Sequence, residues 1–242
     1  MPVVTTALAG AASLIACAFA LSSMDRWWRR RAPHELAWTV AMALFAIASL
    51  ALWWAQSTGW TMIAFRVFFL CGAVLNVAWL SLGTIYLLAG KRIGDISRIW
   101  LIALSGFATG VIATAPAKVA IVADEFPTGR EVFGIVPRIL AAVGSGIPAL
   151  IIIGGAIFST LRVLRKKSPA LLGTVQRHVI SPRRLALGNI LITAGTMTLS
   201  ASGTLAGRFG KERAFAITLL IGVCILFAGF LVAGNSKRAR FA

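Results

Sequence analysis

Seven stretches of this chain run for about twenty residues each with scarcely a charge among them: Val3–Leu21, Leu36–Trp54, Met62–Leu88, Ile99–Ala115, Val132–Leu161, Leu185–Ala206 and Ala214–Gly234. A helix rises about 1.5 Å per residue and a bilayer's hydrocarbon core is about 30 Å thick, so roughly 20 apolar residues suffice to cross it. The stretches are continuously apolar and do not alternate, which predicts helices and not a β-barrel. Inside lipid, every backbone N–H and C=O must be satisfied within the segment itself. Composition agrees. Of 242 residues, 59% are hydrophobic and 13% charged, about half the charged share of a soluble domain. The fold class expected is all-α. It is a polytopic membrane protein with seven transmembrane helices in one domain, residues 1–242.

The formal net charge of +17 would point to nucleic acid in a soluble protein. Here its placement is decisive. Arg26, Arg29, Arg30 and Arg31 follow the first stretch, and Lys91, Arg92 and Arg98 follow the third. Seven more Lys/Arg lie between Arg162 and Arg184, and three in the tail "NSKRARFA". The opposite side holds Arg66, Lys118, Arg130, Arg138, Arg208, Lys211 and Arg213. The positive-inside rule puts the richer side in the cytoplasm. The N-terminus is then outside and the C-terminus cytoplasmic, as an odd helix count requires. The partners expected are the lipid bilayer and, at the cytoplasmic face, its anionic headgroups; nucleic acid is not expected. Trp27, Trp28, Trp38 and Trp100 fall near the inner interface, and Trp53, Trp54 and Trp60 near the outer one, as in an aromatic belt. Cys17, Cys71 and Cys224 lie within the stretches as small hydrophobes, with no metal-like spacing. No cofactor and no metal site is expected. "LIAC" at Leu14–Cys17 looks like a lipoprotein box, but no Lys or Arg precedes it, so the first stretch reads as a retained anchor.

Two stretches carry polar stripes. In "GNILITAGTMTLSASGTLAG", Asn189, Thr193, Thr196, Ser200 and Gly203 are spaced 4, 3, 4 and 3, which aligns them on one helix face. In the third stretch, Gly72, Asn76, Trp79, Gly83 and Tyr86 share a face in the same way. Such a face either lines a ligand pocket or seats a neighbouring helix. Small residues let backbones approach, and hydroxyls bond across helices or back to their own i−4 carbonyl. Both readings stand at this point. The candidate ligand-binding residues are Asn76, Trp79, Tyr86, Asn189, Thr193, Thr196 and Ser200. Pro148 lacks an N–H and clashes with the carbonyl of Gly144, so this pair is the candidate hinge. Gly106 and Gly110 form a GxxxG pair suited to helix contact. Arg66, one turn into the third stretch, is expected to snorkel or to pair with Asp124, Glu125 or Glu131.

Enzyme chemistry finds little material. No Asp, Glu, His or Lys stands in the middle of any stretch, so a metalloprotease, a haem site and a carboxylate proton relay all lack their groups. "YLLAGKR" at Tyr86–Arg92 and "FLVAGNSKR" at Phe230–Arg238 are faintly alike, as a parallel 3+1+3 duplication would make them.

The runs "PHELAWTVAMALFAIASLALWW", "RVFFLCGAVLNVAWLSLGTIYLLAGKRIGD", "FGIVPRILAAVGSGIPALIIIGGAIFS" and "AFAITLLIGVCILFAGFLVA" resemble a family of uncharacterised actinobacterial integral membrane proteins with seven helices. The resemblance covers nearly the whole chain. It implies a multi-pass protein of the bacterial plasma membrane and brings no activity with it. Two functions follow as expectations. One is the binding or transport of a small, largely neutral solute within the bundle. The other is a non-catalytic accessory or scaffold subunit whose partner is another membrane protein. A cavity of a few hundred Å3 between the third, fifth and sixth helices favours the first, and a filled bundle the second.

Overall fold

The computed structural model describes residues 3–165, 187–188, 190–199 and 212–235. Six helices among them are long and apolar enough to cross a membrane. These are α1 (Val3–Arg30), α2 (Pro33–Thr58), α3 (Met62–Ala89), α4 (Lys91–Thr114), α5 (Ile135–Arg165) and α7 (Glu212–Asn235). Among the described residues there is no strand. The chain is a multi-pass α-helical membrane protein. The seventh expected span, Leu185–Ala206, is described only at Leu187, Gly188 and the apolar helix α6 (Ile190–Leu199). Six of the seven expected spans are thus helices long and apolar enough to cross among the described residues; Asn189, Ser200 and Gly203 of the seventh lie outside them.

Local chemistry sets the helix ends. α1 continues through the basic run to Arg30, and Arg31 ends it at φ 51° while its N–H bonds the Trp27 carbonyl at 2.7 Å. Pro33 opens α2, where its missing N–H costs nothing. Gly59 at φ 98° closes α2, its N–H on the Ala55 carbonyl, a backbone state that glycine adopts without strain. The Thr61 side chain caps α3 by accepting from the Ala64 N–H at 3.2 Å. Gly90, at φ 86°, makes the turn into α4.

α1 and α2 form an antiparallel hairpin, sealed by the Ser13 hydroxyl on the Ala46 carbonyl at 3.1 Å. α3 is the hub, packed on α2, α4 and α5, while α7 lies along α1. Phe19 of α1 stacks with Phe227 and Phe230 of α7 at 4.9 Å. α6 and α7 approach closely through glycines. A Cβ on Gly195 would stand 2.7 Å from the Leu226 backbone nitrogen, and one on Gly229 3.0 Å from the Gly188 carbonyl oxygen. α4 is the peripheral helix, with 17% of its apolar window buried against 50% for α2.

Two expectations change at the end of the bundle that carries the α4–α5 loop. Trp60 is not part of an interfacial belt. It is 3% exposed and sits among Phe65, Phe68 and Phe126, with ring centroids 5.3–6.2 Å away. The loop folds back over it: the Trp60 N–H bonds the Ala123 carbonyl and the Lys118 N–H bonds the Val132 carbonyl, both at 2.9 Å. Arg66 pairs with no loop carboxylate. Its guanidinium donates to the carbonyls of Ala113 at 2.6 Å and Ala115 at 2.7 Å. These belong to the C-terminal end of α4, whose last carbonyls lack intrahelical partners and carry the negative end of the helix dipole. Trp53, Trp54, Trp28 and Trp100 remain exposed as a belt requires.

Candidate functional site

α3 is not a uniform helix. Met62–Phe68 is α-helical, Phe69–Leu75 is a π-helical segment, and Asn76–Ala89 is α-helical again. A π turn closes from i to i+5 and so holds about one more residue than an α turn. Side chains after it are rotated relative to those before it. The stripe from Gly72 to Tyr86, drawn at 100° per residue, therefore breaks inside α3. π segments of this kind occur frequently at functional sites.

Against the π segment lies α5. A Cβ on Gly144 would come within 2.5 Å of the Val74 carbonyl oxygen, so only glycine permits this approach. Pro148 stands four residues on, inside the continuous helix Ile135–Arg165, and removes the N–H that the Gly144 carbonyl would otherwise accept. The two hinge candidates thus sit where α5 touches the irregular part of α3.

Next to the π segment, α2, α3, α5, α6 and α7 line a cavity of about 820 Å3. Close-packed interiors hold few voids larger than a water molecule, whereas this volume falls in the range of small-molecule sites. Small side chains create the space: Ala48 on α2, Gly72 and Ala73 on α3, and Ala141, Ala142, Ser145, Gly146 and Ala149 on α5. Large apolar ones wall it, among them Phe45, Phe65, Phe69, Leu199 and Phe215. Its loop end is bordered by Phe126, Pro127, Thr128, Gly129, Arg130 and Arg138.

Four polar side chains reach the cavity from the helices: Ser49, Asn76, Ser145 and Thr196. Ser145 donates to the Ala141 carbonyl at 2.6 Å and Thr196 to the Ile192 carbonyl at 2.8 Å, each within its own helix. Asn76 differs. It is 5% exposed and its Oδ1 makes no hydrogen bond. A buried polar atom without a partner costs about 1–3 kcal/mol, and most such atoms in folded proteins have one.

The candidate residues separate accordingly. Asn76 and Thr196, distant in sequence, are brought to one cavity. Trp79 and Tyr86 do not border it. The Trp79 indole N–H donates to the Ser105 hydroxyl at 3.2 Å, and the Tyr86 hydroxyl to Asp95 Oδ1 at 2.8 Å, both on α4. Thr193 is half-buried on α6 and is absent from the cavity wall. Asn189 and Ser200 lie outside the described residues. Sequence reasoning missed Ser49, Ser145, Arg130 and Arg138. The two serines share no spacing with anything. Arg138, on the fourth residue of α5, was open to detection as a cation just inside a span. The hydroxyls of the bundle mostly bond their own helix, as with Thr39 on the Glu35 carbonyl and Thr218 on that of Ala214.

No protein-family model, no curated protein and no solved structure matches the chain. The class that fold and cavity define is a multi-pass helical membrane protein, and no family is identified.

Proposed function

We propose that this protein binds a small, largely neutral solute in the cavity among α2, α3, α5, α6 and α7, without catalysing a reaction on it. The observation that carries the reading is an 820 Å3 space that has among its lining residues the buried Asn76, whose Oδ1 has no hydrogen-bond partner. An apolar enclosure with a few placed polar atoms is the common build of a ligand site. A carboxamide offers both a donor and an acceptor, so the solute carries a hydrogen-bonding group at that level. The π segment and the Gly144–Pro148 pair add two places where helices could change register, which suits a protein that admits and releases its ligand. The positive-inside rule puts the Pro116–Glu131 loop, and with it the arginine-bordered end of the cavity, on the outer face of a bacterial plasma membrane.

The test is native mass spectrometry of protein purified in mild detergent. Wild type should carry a retained small-molecule adduct that Ala149→Phe, which intrudes into the cavity, removes. Equal adducts on both proteins, or none on wild type after incubation with lipid extract, would overturn the reading. The accessory-subunit reading draws its support from α4. A Cβ added at Gly106 or Gly110 would have nothing within 4 Å of it, as a seat for a partner helix would need. Cysteine cross-linking at Gly106 in native membranes that captured one defined partner, together with an empty cavity, would favour it instead.

A further inference from the structure

The loop end of the cavity carries charge that no carboxylate among the described side chains neutralises. Arg130 and Arg138 both border it and both are exposed. Neither pairs with a carboxylate among the described residues, where the ion pairs are Arg26–Glu35, Arg29–Asp25, His34–Glu35 and Arg98–Asp95. The acids of the same loop are otherwise placed. Glu131 accepts from the Thr128 hydroxyl at 2.8 Å, and Asp124 and Glu125 are exposed and in none of those ion pairs. Arg138 also stands in the first turn of α5, which holds no acidic residue. A cation there opposes the positive end of the helix dipole, whereas an anion would be favoured by both. Guanidinium groups bind carboxylate and phosphate in a two-pronged fashion.

From this juxtaposition, and resting on the cavity-binding reading above, we infer that the ligand is an amphiphile. Its anionic head is held by Arg130 and Arg138 at the loop end, and its apolar body lies among Phe65, Phe69 and Phe215. The part that enters the bundle is neutral, which suits a cavity whose described lining residues below the mouth carry no charge. Asn76 meets a hydrogen-bonding group on that body. The head chemistry is a carboxylate or phosphate, supplied either by a free acid or by a bilayer lipid.

The probes are dodecanoate and its neutral counterpart dodecan-1-ol, titrated onto the full-length protein in nanodiscs of zwitterionic lipid. Comparing each probe between wild type and variants cancels its partition into lipid. Arg130→Gln with Arg138→Gln should weaken dodecanoate about tenfold or more, the loss of charge-assisted hydrogen bonds, and change dodecan-1-ol less than about twofold. Arg130→Lys with Arg138→Lys, which keeps the charge and the fold, should give an intermediate loss. If Ala149→Phe blocks both probes but neither arginine pair variant affects dodecanoate, the head clamp is overturned and the cavity reading survives. If Ala149→Phe blocks neither, the cavity reading fails and the clamp with it. Adding anionic phospholipid to the nanodiscs identifies the source. Displacement of dodecanoate assigns the head to a bilayer lipid, and unchanged binding assigns it to a free acid.

Discussion

Around Asn76, α3 borders open space and leaves a buried oxygen unused. From Trp79 to Tyr86, one to three turns further along, the same helix has its polar groups met by α4: indole on Ser105, phenol on Asp95. Packing is tight there. Gly83 lies on the Trp38 indole and Gly94 on the Tyr86 ring, each too close for a Cβ. Both regions look alike in sequence, an asparagine or aromatic every three or four residues among small and apolar ones. The difference is one of partners. A polar side chain in a span that finds a protein partner contributes to assembly; one that finds none is available to something else.

The largest effect should come from the contact that separates the two regions. Gly144→Leu places a side chain against the Val74 carbonyl, 2.5 Å from where its Cβ would be. Overpacking typically costs about 1–3 kcal/mol, and backbone cannot yield as a side chain can, so the upper end or beyond is expected. Thermal unfolding in detergent should show a strongly destabilised or misassembled protein. Gly146→Leu, two residues away with nothing within 4 Å, should unfold close to wild type. Equal behaviour of the two would remove the helix contact from the account.

Tyr86→Phe tests the satisfied region. A hydrogen bond to a charged group is worth about 1.5–3 kcal/mol, but the Asp95 side chain is 34% exposed and also lies 3.6 Å from Arg98. Solvent screening brings the expected loss to about 1 kcal/mol. Ligand binding should be untouched, and a change in affinity at constant stability would place Tyr86 in the site after all.

Asn76→Leu should do the reverse. It keeps the branched shape and removes an unpaired oxygen, so the empty protein should be unchanged or stabilised by up to about 1 kcal/mol. The stabilisation that ligand confers on wild type should disappear. A fall in stability comparable to that of Tyr86→Phe would mean that Asn76 is structural too. Thr196→Val should show least. Its hydroxyl already serves the Ile192 carbonyl, and hydroxyl bonds in spans average about 0.6 kcal/mol. Melting should move little, and ligand affinity should shift only if that oxygen also accepts from the solute.

Much of the architecture was legible in the residues alone. Apolar length marked seven crossings, six of which are spanning-length helices among the described residues, because in hydrocarbon the backbone has no alternative to a helix that satisfies itself. Composition set the chain in a bilayer. The tertiary structure decided everything that depends on partners. It placed Arg66 on the carbonyls of α4, buried Trp60 under the loop, and inserted a π segment that no periodicity at 100° per residue foretells. It divided one apparent stripe of α3 between a cavity and a helix seam. It also brought Asn76 and Thr196 to the same space as Ser49, Ser145, Arg130 and Arg138, four residues with no common spacing. Spacing along one helix reports which side chains share a face, and only the neighbouring helices determine what that face meets.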